Sequence, residues 1–284
     1  IAELFLVLSV MLMLSKMGHT VGYMGDGIND APPLRQADVG ISVDSGVDIA
    51  KASADIIMTQ KDLMVLEEGV LYGRKTFGNI MKYLKMAASG NFGNMLSVIV
   101  ASLLLPFLPM LPVHILVQNL LCDFSQMGMP FDNVDKEYLK KPRRWSTSEI
   151  KRFMLVMGPL SSIFDILCFA VLWFVLGANT TQNMALFHAG WFVFGTISQV
   201  AIIHMIRTAK LPLKANRAPL PLMISTITVS IIALIIGFTS LAIAFDMVTL
   251  PLLFAPLLFA LIMGYILLIQ AIKVIYIRRY GEWL

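Results

Sequence analysis

The stretch GYMGDGINDAPPLRQADVGISV, residues 22–43, combines a strand pattern with a loop rich in glycine and acidic residues. The short apolar run TVGYM predicts a buried strand, and the glycines on either side of Asp26 allow the backbone to approach a ligand closely. Asp30 stands where it can cap a helix whose opening position suits Pro32. The stretch therefore predicts a ligand-binding loop at the carboxyl end of a strand in an α/β domain.

The residue types of this loop suit phosphate chemistry with a divalent cation. Two carboxylates four residues apart, Asp26 and Asp30, can hold a hard cation such as Mg²⁺, and Asn29 can donate a hydrogen bond to a phosphate oxygen. Groups of this kind stabilise phosphoryl transfer by positioning and charge neutralisation. The alternative is a turn in which Asp and Asn serve only turn geometry. The setting favours the catalytic interpretation, with Gly25 and Gly27 as the glycines that admit the ligand.

The α/β pattern continues to about Lys61 and then gives way to a long helix. VGISV and DIIM predict two further strands, and PPLRQA and VDIAKASA predict the helices between them. From residue 63 to residue 85 a mostly polar helical pattern runs without a breaker into an apolar segment. It predicts a stalk that joins a water-facing domain to a membrane. The run LFLVLSVMLML before Lys16 lacks the basic lead and cleavage site of a signal peptide.

The rest of the chain has the composition of a membrane protein. Of its 284 residues, 57% are hydrophobic and 14% charged, and the mean hydropathy is +0.77. A soluble domain of this size is less apolar. Six segments are long enough to cross a bilayer, at residues 84–105, 110–130, 153–177, 186–207, 219–243 and 250–275. The net charge of +4 does not predict nucleic-acid binding, because the basic residues cluster in short loops between these segments.

Basic residues follow every second apolar segment and predict the orientation of the chain. They are Lys136, Lys140, Lys141, Arg143, Arg144, Lys151 and Arg152, then Arg207, Lys210, Lys214 and Arg217, and finally Lys273, Arg278 and Arg279. The intervening loops, PFLPMLP, GANTTQNMA and FDMVTLP, contain no lysine or arginine. By the positive-inside rule, the stalk, the basic loops and the C-terminus are expected in the cytoplasm.

The sequence MGDGINDAPPLRQADVGISV resembles the hinge motif of P-type cation-transporting ATPases. Other segments similar to the family are DLMVLEEGVLYGRKTFGNIMKYLKMAASGNFGN, LPFLPMLPVHILVQNLLCDFSQMGMPFDNVD, GPLSSIFDI, GWFVFGTISQ, HMIRT and YIRRYG. Together they look like the bacterial magnesium-importing subclass rather than the calcium or sodium pumps. The resemblance implies an ATP-driven importer of Mg²⁺ in the bacterial inner membrane, with ten membrane helices of which these six are the last.

The resemblance also implies a division into domains and roles for the loop. The end of a haloacid-dehalogenase-like phosphorylation domain would occupy residues 1–62, the stalk helix 63–85, the six-helix membrane domain 84–275 and a cytoplasmic tail 276–284. Asp26 would coordinate the catalytic Mg²⁺, and Asn29 and Asp30 would order the surroundings of a phosphorylated aspartate. ATP would be the substrate of the complete enzyme.

Several family features are missing from the sequence. The phosphorylated-aspartate motif DKTGT, an actuator TGE loop, a nucleotide-binding domain and four membrane helices are absent, and Val7 stands where the family has a catalytic lysine. Residues 1–15 are therefore atypical. We expect a C-terminal fragment that is inactive alone, with membrane lipid, transported Mg²⁺ and the missing N-terminal portion of the same protein as its partners.

Polar side chains inside the apolar segments mark a candidate ion path, because hydrocarbon makes them costly. Asn91 and Asn94 are three residues apart, and Asn119 and Asp123 are four apart, so each pair shares a helical face. In the resembled family these helices contribute cation ligands at these positions, and the four residues are the predicted ligands. Hydrogen bonding between helices is the alternative for each of them.

Other polar residues and other functions stay open at this point. Asp165 either contacts the ion or hydrogen-bonds a neighbouring helix, and Gln199 is expected to join helices. A nonfunctional fragment or a passive, regulatory six-span membrane protein is the alternative to a pump. A P-type pump for another cation is a further alternative, which the single carboxylate of the ligand set disfavours.

Overall fold

A computed structural model describes residues 2–212, 216–281 and 283, so Lys214 of the predicted basic loop lies outside the described residues. The chain divides into two compact units, Ile1–Gly73 and Arg74–Leu284. The division between them falls inside a helix that is continuous in the structure. The two units differ in architecture.

The first unit contains a parallel sheet of three strands, β1 (Gly22–Met24), β2 (Val39–Val43) and β3 (Ile56–Met58), in the order β1-β2-β3. Met24 pairs with Ile41 and Val43 with Met58, which brings the carboxyl ends of the strands to one edge. Helices α2 (Ala31–Gln36) and α3 (Asp48–Ser53) connect the strands. The predicted alternation of strands and helices is confirmed.

Residues 2–16 form a separate apolar helix, α1 (Ala2–Lys16). Its 15 residues would extend over about 22 Å, which is less than the roughly 30 Å of a hydrocarbon core. Met11 is buried, whereas Phe5 and Leu6 are exposed. Its length alone therefore does not make α1 a membrane span.

Helix α4 has 42 residues, from Leu63 to Leu104, and most of them belong to the second unit. At 1.5 Å per residue it measures about 63 Å, roughly twice the thickness of a hydrocarbon core. No proline interrupts it, and its polar first half passes directly into the apolar second half. The predicted continuity of the polar helical segment with the first apolar segment is confirmed.

Six more helices follow: α5 (Pro112–Gln126), α6 (Lys136–Leu139), α7 (Thr147–Ala170), α8 (Met184–Ile206), α9 (Leu220–Phe238) and α10 (Phe254–Tyr280). A π-helical turn, Val171–Val175, extends α7. Among the described residues, five helices are long and apolar enough to cross a membrane: α4, α7 with its extension, α8 with the short turn before it, α9 and α10. The chain is therefore a mainly helical, multi-pass membrane protein.

The second of the six predicted spans, residues 110–130, is not confirmed at full length. Its helix, α5, has 15 residues, which extend over about 22 Å. Pro112 opens the helix, and after Gln126 the backbone tightens into a 3₁₀ turn, Met129–Phe131, that contains Pro130. The apolar pattern alone could not locate these ends, because it continues through both of them.

Helices α4 and α7 approach each other closely at small residues. A Cβ atom on Gly93 of α4 would lie 2.0 Å from Ser161 Oγ and 2.9 Å from the carbonyl oxygen of Gly158, both on α7. Ser162 Oγ donates a hydrogen bond of 2.9 Å to the Gly93 carbonyl. Small residues of this kind allow membrane helices to pack backbone to backbone.

Buried charges join α4 to the loop after α5 and to the end of α8. Asp132 is fully buried and accepts from Lys82 Nζ at 2.7 Å and from Arg207 Nη2 at 2.6 Å. Asp135 accepts from Thr208 Oγ1 at 2.9 Å. Lys273 Nζ of α10 donates to the Thr208 carbonyl at 3.0 Å. We call Lys82, Asp132 and Arg207 the buried charge cluster; it fixes three segments of the chain to one another.

The end of the chain returns to the same region. Trp283 is 3% exposed, its Nε1 donates to the Ile206 carbonyl at 2.7 Å, and its ring packs edge-on against Phe153. Lys85 Nζ donates to the Trp283 carbonyl at 3.2 Å. The predicted tail therefore includes a residue that belongs to the core of the second unit.

Replacing Asp132 by alanine should strongly destabilise the complete protein, because Lys82 and Arg207 would stay buried without their counter-charge. Breaking a buried ion pair costs about 3–5 kcal/mol. The matched control is Glu137→Ala, which removes the exposed 2.9 Å pair with Lys210 and should lower the stability far less, because water screens the charges of this pair. Thermal unfolding of the purified proteins in detergent measures both, and equal shifts in Tm would contradict the role given to the cluster.

Candidate functional site

The acidic loop, Gly25 to Asp30, is held by the carboxylate of Asp30. Oδ2 of Asp30 accepts from the backbone N–H groups of Asp26 at 3.1 Å and Gly27 at 2.8 Å, and Oδ1 accepts from Tyr23 Oη at 2.8 Å. Burial and the bond to Asp30 raise the pKa of Tyr23 to about 12, so its hydroxyl stays a donor at neutral pH. A Cβ atom on Gly25 would lie 2.4 Å from Asp30 Cβ, so this contact requires glycine.

These contacts correct one prediction about Asp30. It does precede α2, and proline occupies the first turn of that helix as predicted, but the Asp30 side chain makes no capping hydrogen bond to α2. Its carboxylate accepts from the two N–H groups of the acidic loop instead, since they point at it across the turn. Asp30 therefore organises the loop, and Asn29 lies exposed beside it.

Asp26 carries the exposed carboxylate of the acidic loop. It forms a 2.7 Å ion pair with Lys61, and this hydrogen bond and charge hold the pKa of Asp26 below its usual value. Its side chain is 52% exposed, so the carboxylate is accessible from solvent. Sequence reasoning did not find Lys61. The available signal was its position after β3, because parallel strands bring their carboxyl ends to one edge of the sheet.

In the second unit, a cavity of about 180 Å³ lies between α4, α5 and α8. Its polar lining consists of Asn91, Asn119, Cys122, Asp123, Gln126 and Gln199, and we call it the polar cavity. It contains three of the four predicted ion ligands, Asn91, Asn119 and Asp123. Within the described residues, no group of three or more His, Cys, Asp or Glu side chains could hold a metal ion. Any cation in the polar cavity must therefore rely mainly on amide oxygens or water.

The fourth predicted ligand, Asn94, does not line the polar cavity. It lines a neighbouring pocket of about 20 Å³ that also contains Asp165, and Gly90, Gln199 and Ile202 border both spaces. A step of three residues turns a helix by about 300°, which leaves Asn91 and Asn94 about 60° apart. They therefore share a broad face of α4 but border different spaces.

Asp165 is buried and joins three helices. Its Oδ2 lies 2.6 Å from Ser97 Oγ of α4, and its Oδ1 accepts from Trp191 Nε1 of α8 at 3.0 Å. These contacts correspond to the helix-joining alternative for this residue. A role in ion contact is not needed to explain why a carboxyl group lies here.

Three residues of the polar lining were not predicted as site residues: Cys122, Gln126 and Gln199. Gln126 follows Asp123 by three residues, a spacing that places both on one side of α5. Gln199 Oε1 accepts from Cys122 Sγ at 2.6 Å, which is the helix-joining contact expected of it, yet it also lines the polar cavity. The spacing from Asp123 was the signal that could have identified Gln126.

The polar cavity is open on one side. Asn91, Asn119 and Asp123 are exposed in the described chain. An ionised carboxylate facing hydrocarbon is strongly unfavourable. This side of the bundle therefore needs a cover other than lipid.

Comparison with known proteins identifies the family. Residues 107–275 match the family described as "Cation transporting ATPase, C-terminus". The chain is 55% identical over 272 residues, 96% of its length, to proteins named "Magnesium-transporting ATPase, P-type 1" from Salmonella typhimurium and Escherichia coli. It is 29% identical over 195 residues, 66% of its length, to a "Calcium-transporting ATPase" of Bacillus subtilis.

The chain spans 30% of the length of its magnesium-transporting relatives and 21% of the calcium-transporting one. The family match covers α5 and α7 to α9 and most of α10, and therefore most of the membrane helices. The chain belongs to the family of cation-transporting ATPases, whose C-terminal region it contains.

Proposed function

We propose that this chain is the C-terminal part of a P-type ATPase that imports Mg²⁺ across a bacterial inner membrane, driven by ATP hydrolysis in the complete protein. The observation that carries the proposal is the polar cavity, in which Asn91, Asn119 and Asp123 meet between membrane helices. The names of the relatives at 55% identity support magnesium as the transported ion.

The composition of the polar cavity favours a cation that keeps part of its hydration shell. Mg²⁺ demands six oxygen ligands in near-octahedral geometry and releases water reluctantly. Asp123 is the one carboxylate among the polar residues that line the cavity. Asp123 would supply the charge, and the amide oxygens of Asn91 and Asn119 would accept hydrogen bonds from bound water or contact the ion. Asn94 would take part only if α4 turned relative to the other helices.

The acidic loop would supply the phosphate chemistry of the complete enzyme. Asp26, with its exposed carboxylate, would bind the catalytic Mg²⁺ once Lys61 is displaced. Asp30 would keep the backbone of Asp26 and Gly27 in place through its two N–H contacts. Asn29 is exposed and would be free to donate to a phosphate oxygen. Helix α4 would carry the resulting movement to Asn91, because it is continuous from Leu63 to Leu104.

The open side of the polar cavity favours the proposal that another part of the same protein covers it. The relatives are more than three times as long as this chain, and the predicted partner is their N-terminal portion. Helices from that portion would cover Asn91, Asn119 and Asp123 and exclude lipid from them. In this division residues 1–62 end the phosphorylation domain, residues 63–85 form the stalk, and residues 84–275 form the membrane domain.

Asp123→Asn should abolish stimulation of ATP hydrolysis by Mg²⁺ in the complete protein, since it removes the negative charge of the polar cavity. Mutation of a residue that only orients a metal ligand lowers metal affinity or activity by about 10–100-fold. Mutation of a direct ligand should therefore lower the activity by at least about 100-fold. The matched control is Asp246→Asn, an exposed carboxylate in the loop before α10. Wild-type activity in Asp123→Asn would refute the assignment, and stimulation of the wild type by another cation instead of Mg²⁺ would favour a pump for that cation.

Asp26→Asn should prevent phosphorylation of the complete enzyme by ATP, because an amide does not replace a carboxylate as a ligand of catalytic Mg²⁺. A loss of at least about 100-fold is expected, as for other charge-stabilising groups. Incorporation of labelled phosphate measures the effect. Asp48→Asn is the control, because Asp48 is exposed and pairs only locally with Lys51; similar losses in both variants would contradict the role of Asp26.

The proposed orientation predicts opposite labelling of two single cysteines. Ser148→Cys, near the start of α7, should be shielded from an impermeant thiol reagent added outside intact cells, and Thr180→Cys, in a loop without basic residues, should react. Both positions are exposed, and the native Cys122 and Cys168 are buried. The opposite pattern would overturn the orientation.

A further inference from the structure

Helix α5 presents a row of three polar side chains to the polar cavity. Asn119, Asp123 and Gln126 stand at positions i, i+4 and i+7, which lie on one side of a helix, and all three line the cavity. The row extends over about 10 Å along the helix axis. The first two are predicted ion ligands, whereas Gln126 has no assigned role.

The amide oxygen of Gln126 is shielded from solvent and has no hydrogen-bond partner among the described residues. A buried acceptor without a partner is energetically unfavourable. Such a group in a native protein commonly binds a water molecule or an ion. The last torsion of a glutamine side chain is soft, so a half-turn exchanges its oxygen and nitrogen at little cost. A cation or its bound water in the polar cavity would satisfy this oxygen.

Gln126 marks the end of the polar cavity that lies toward the stalk. Met86 and Ile203 line the same cavity and are apolar. Four residues beyond each of them stand Lys82 on α4 and Arg207 just after α8, the two cations of the buried charge cluster. Asp132 pairs with both cations, and the buried Asp135 is a second carboxylate that acts on Lys82. Gln126 is the last residue of α5 and therefore the polar-cavity residue of that helix nearest to the buried charge cluster.

We propose that Gln126 is a further binding residue for the transported cation and supplies an oxygen acceptor at the stalk end of the polar cavity. The inference rests on the proposed function, because it takes the occupant to be a divalent cation with some bound water. Gln126 holds the ion, or one of its waters, between Asp123 and the buried charge cluster. Its loss raises the cation concentration needed for turnover without removing the charge on which binding depends.

The test compares Gln126→Met and Gln126→Glu in the complete protein, with Mg²⁺ as the probe. Methionine keeps the length of the side chain but removes the oxygen, so the Mg²⁺ concentration for half-maximal ATP hydrolysis should rise about 10-fold. Glutamate keeps an oxygen acceptor, so the Mg²⁺ concentration for half-maximal ATP hydrolysis by Gln126→Glu should equal or fall below that of the wild type. The maximal rate of Gln126→Met at saturating Mg²⁺ should stay near that of the wild type.

Gln270→Met is the matched control. Gln270 on α10 also has a shielded amide oxygen without a partner among the described residues, but it does not line the polar cavity. Its half-maximal Mg²⁺ concentration should equal that of the wild type. Equal values for Gln126→Met and Gln270→Met would overturn the inference, and so would the same increase in Gln126→Glu as in Gln126→Met.

A second variant covers the case in which Gln126→Met does not fold. Gln126→Asn keeps the amide but withdraws its oxygen by one methylene, and a several-fold rise in the half-maximal concentration is expected; an unchanged value would overturn the inference. Failure of the proposed function gives a different result, since membrane vesicles that contain the wild type would then take up no Mg²⁺ when ATP is added. Uptake of Mg²⁺ by the wild type with no effect at Gln126 rejects only the present inference.

Discussion

Hydrocarbon offers no partner to a polar group, and this constraint organises the membrane part of the protein. Backbone groups pair within long helices, and polar side chains need a partner from the protein or a ligand. Asp165 meets the requirement with Ser97 and Trp191. Asp123 lies in the same bundle but lines an open cavity with Asn91 and Asn119. The two carboxyl groups therefore differ in their surroundings, because Asp165 is hydrogen-bonded between helices and Asp123 lies in the candidate ion site.

The same constraint explains why charge is concentrated at one end of the bundle. Lys82, Asp132 and Arg207 are buried together and join α4, the loop after α5 and the end of α8. Such a cluster adds little net stability over apolar packing, but removing one member leaves a costly unpaired charge. It therefore favours one arrangement of these segments. Helix α4, which carries Lys82 of this cluster, also supplies residues to the wall of the polar cavity.

The sequence sufficed where a local pattern determines the structure. The strands around the acidic loop, the uninterrupted α4 and the shared face of Asn119 and Asp123 follow from periodicity and breakers. Features that depend on tertiary contacts were not predictable. The ends of α5 lie within a continuous apolar run, Asp30 binds loop N–H groups rather than α2, and Lys61 meets Asp26 across 35 residues. The separation of Asn94 from Asn91 depends on which neighbours α4 contacts.

The most direct test of the account is to locate a bound cation in the complete protein. Mn²⁺ accepts similar oxygen ligands and scatters X-rays anomalously, so crystals grown with it would report the site. We predict an anomalous peak in the polar cavity, within coordination distance of Asp123 or one water molecule away from it. An empty polar cavity with a peak beside Asp165 would contradict the assignment of these two carboxyl groups and the function built on it.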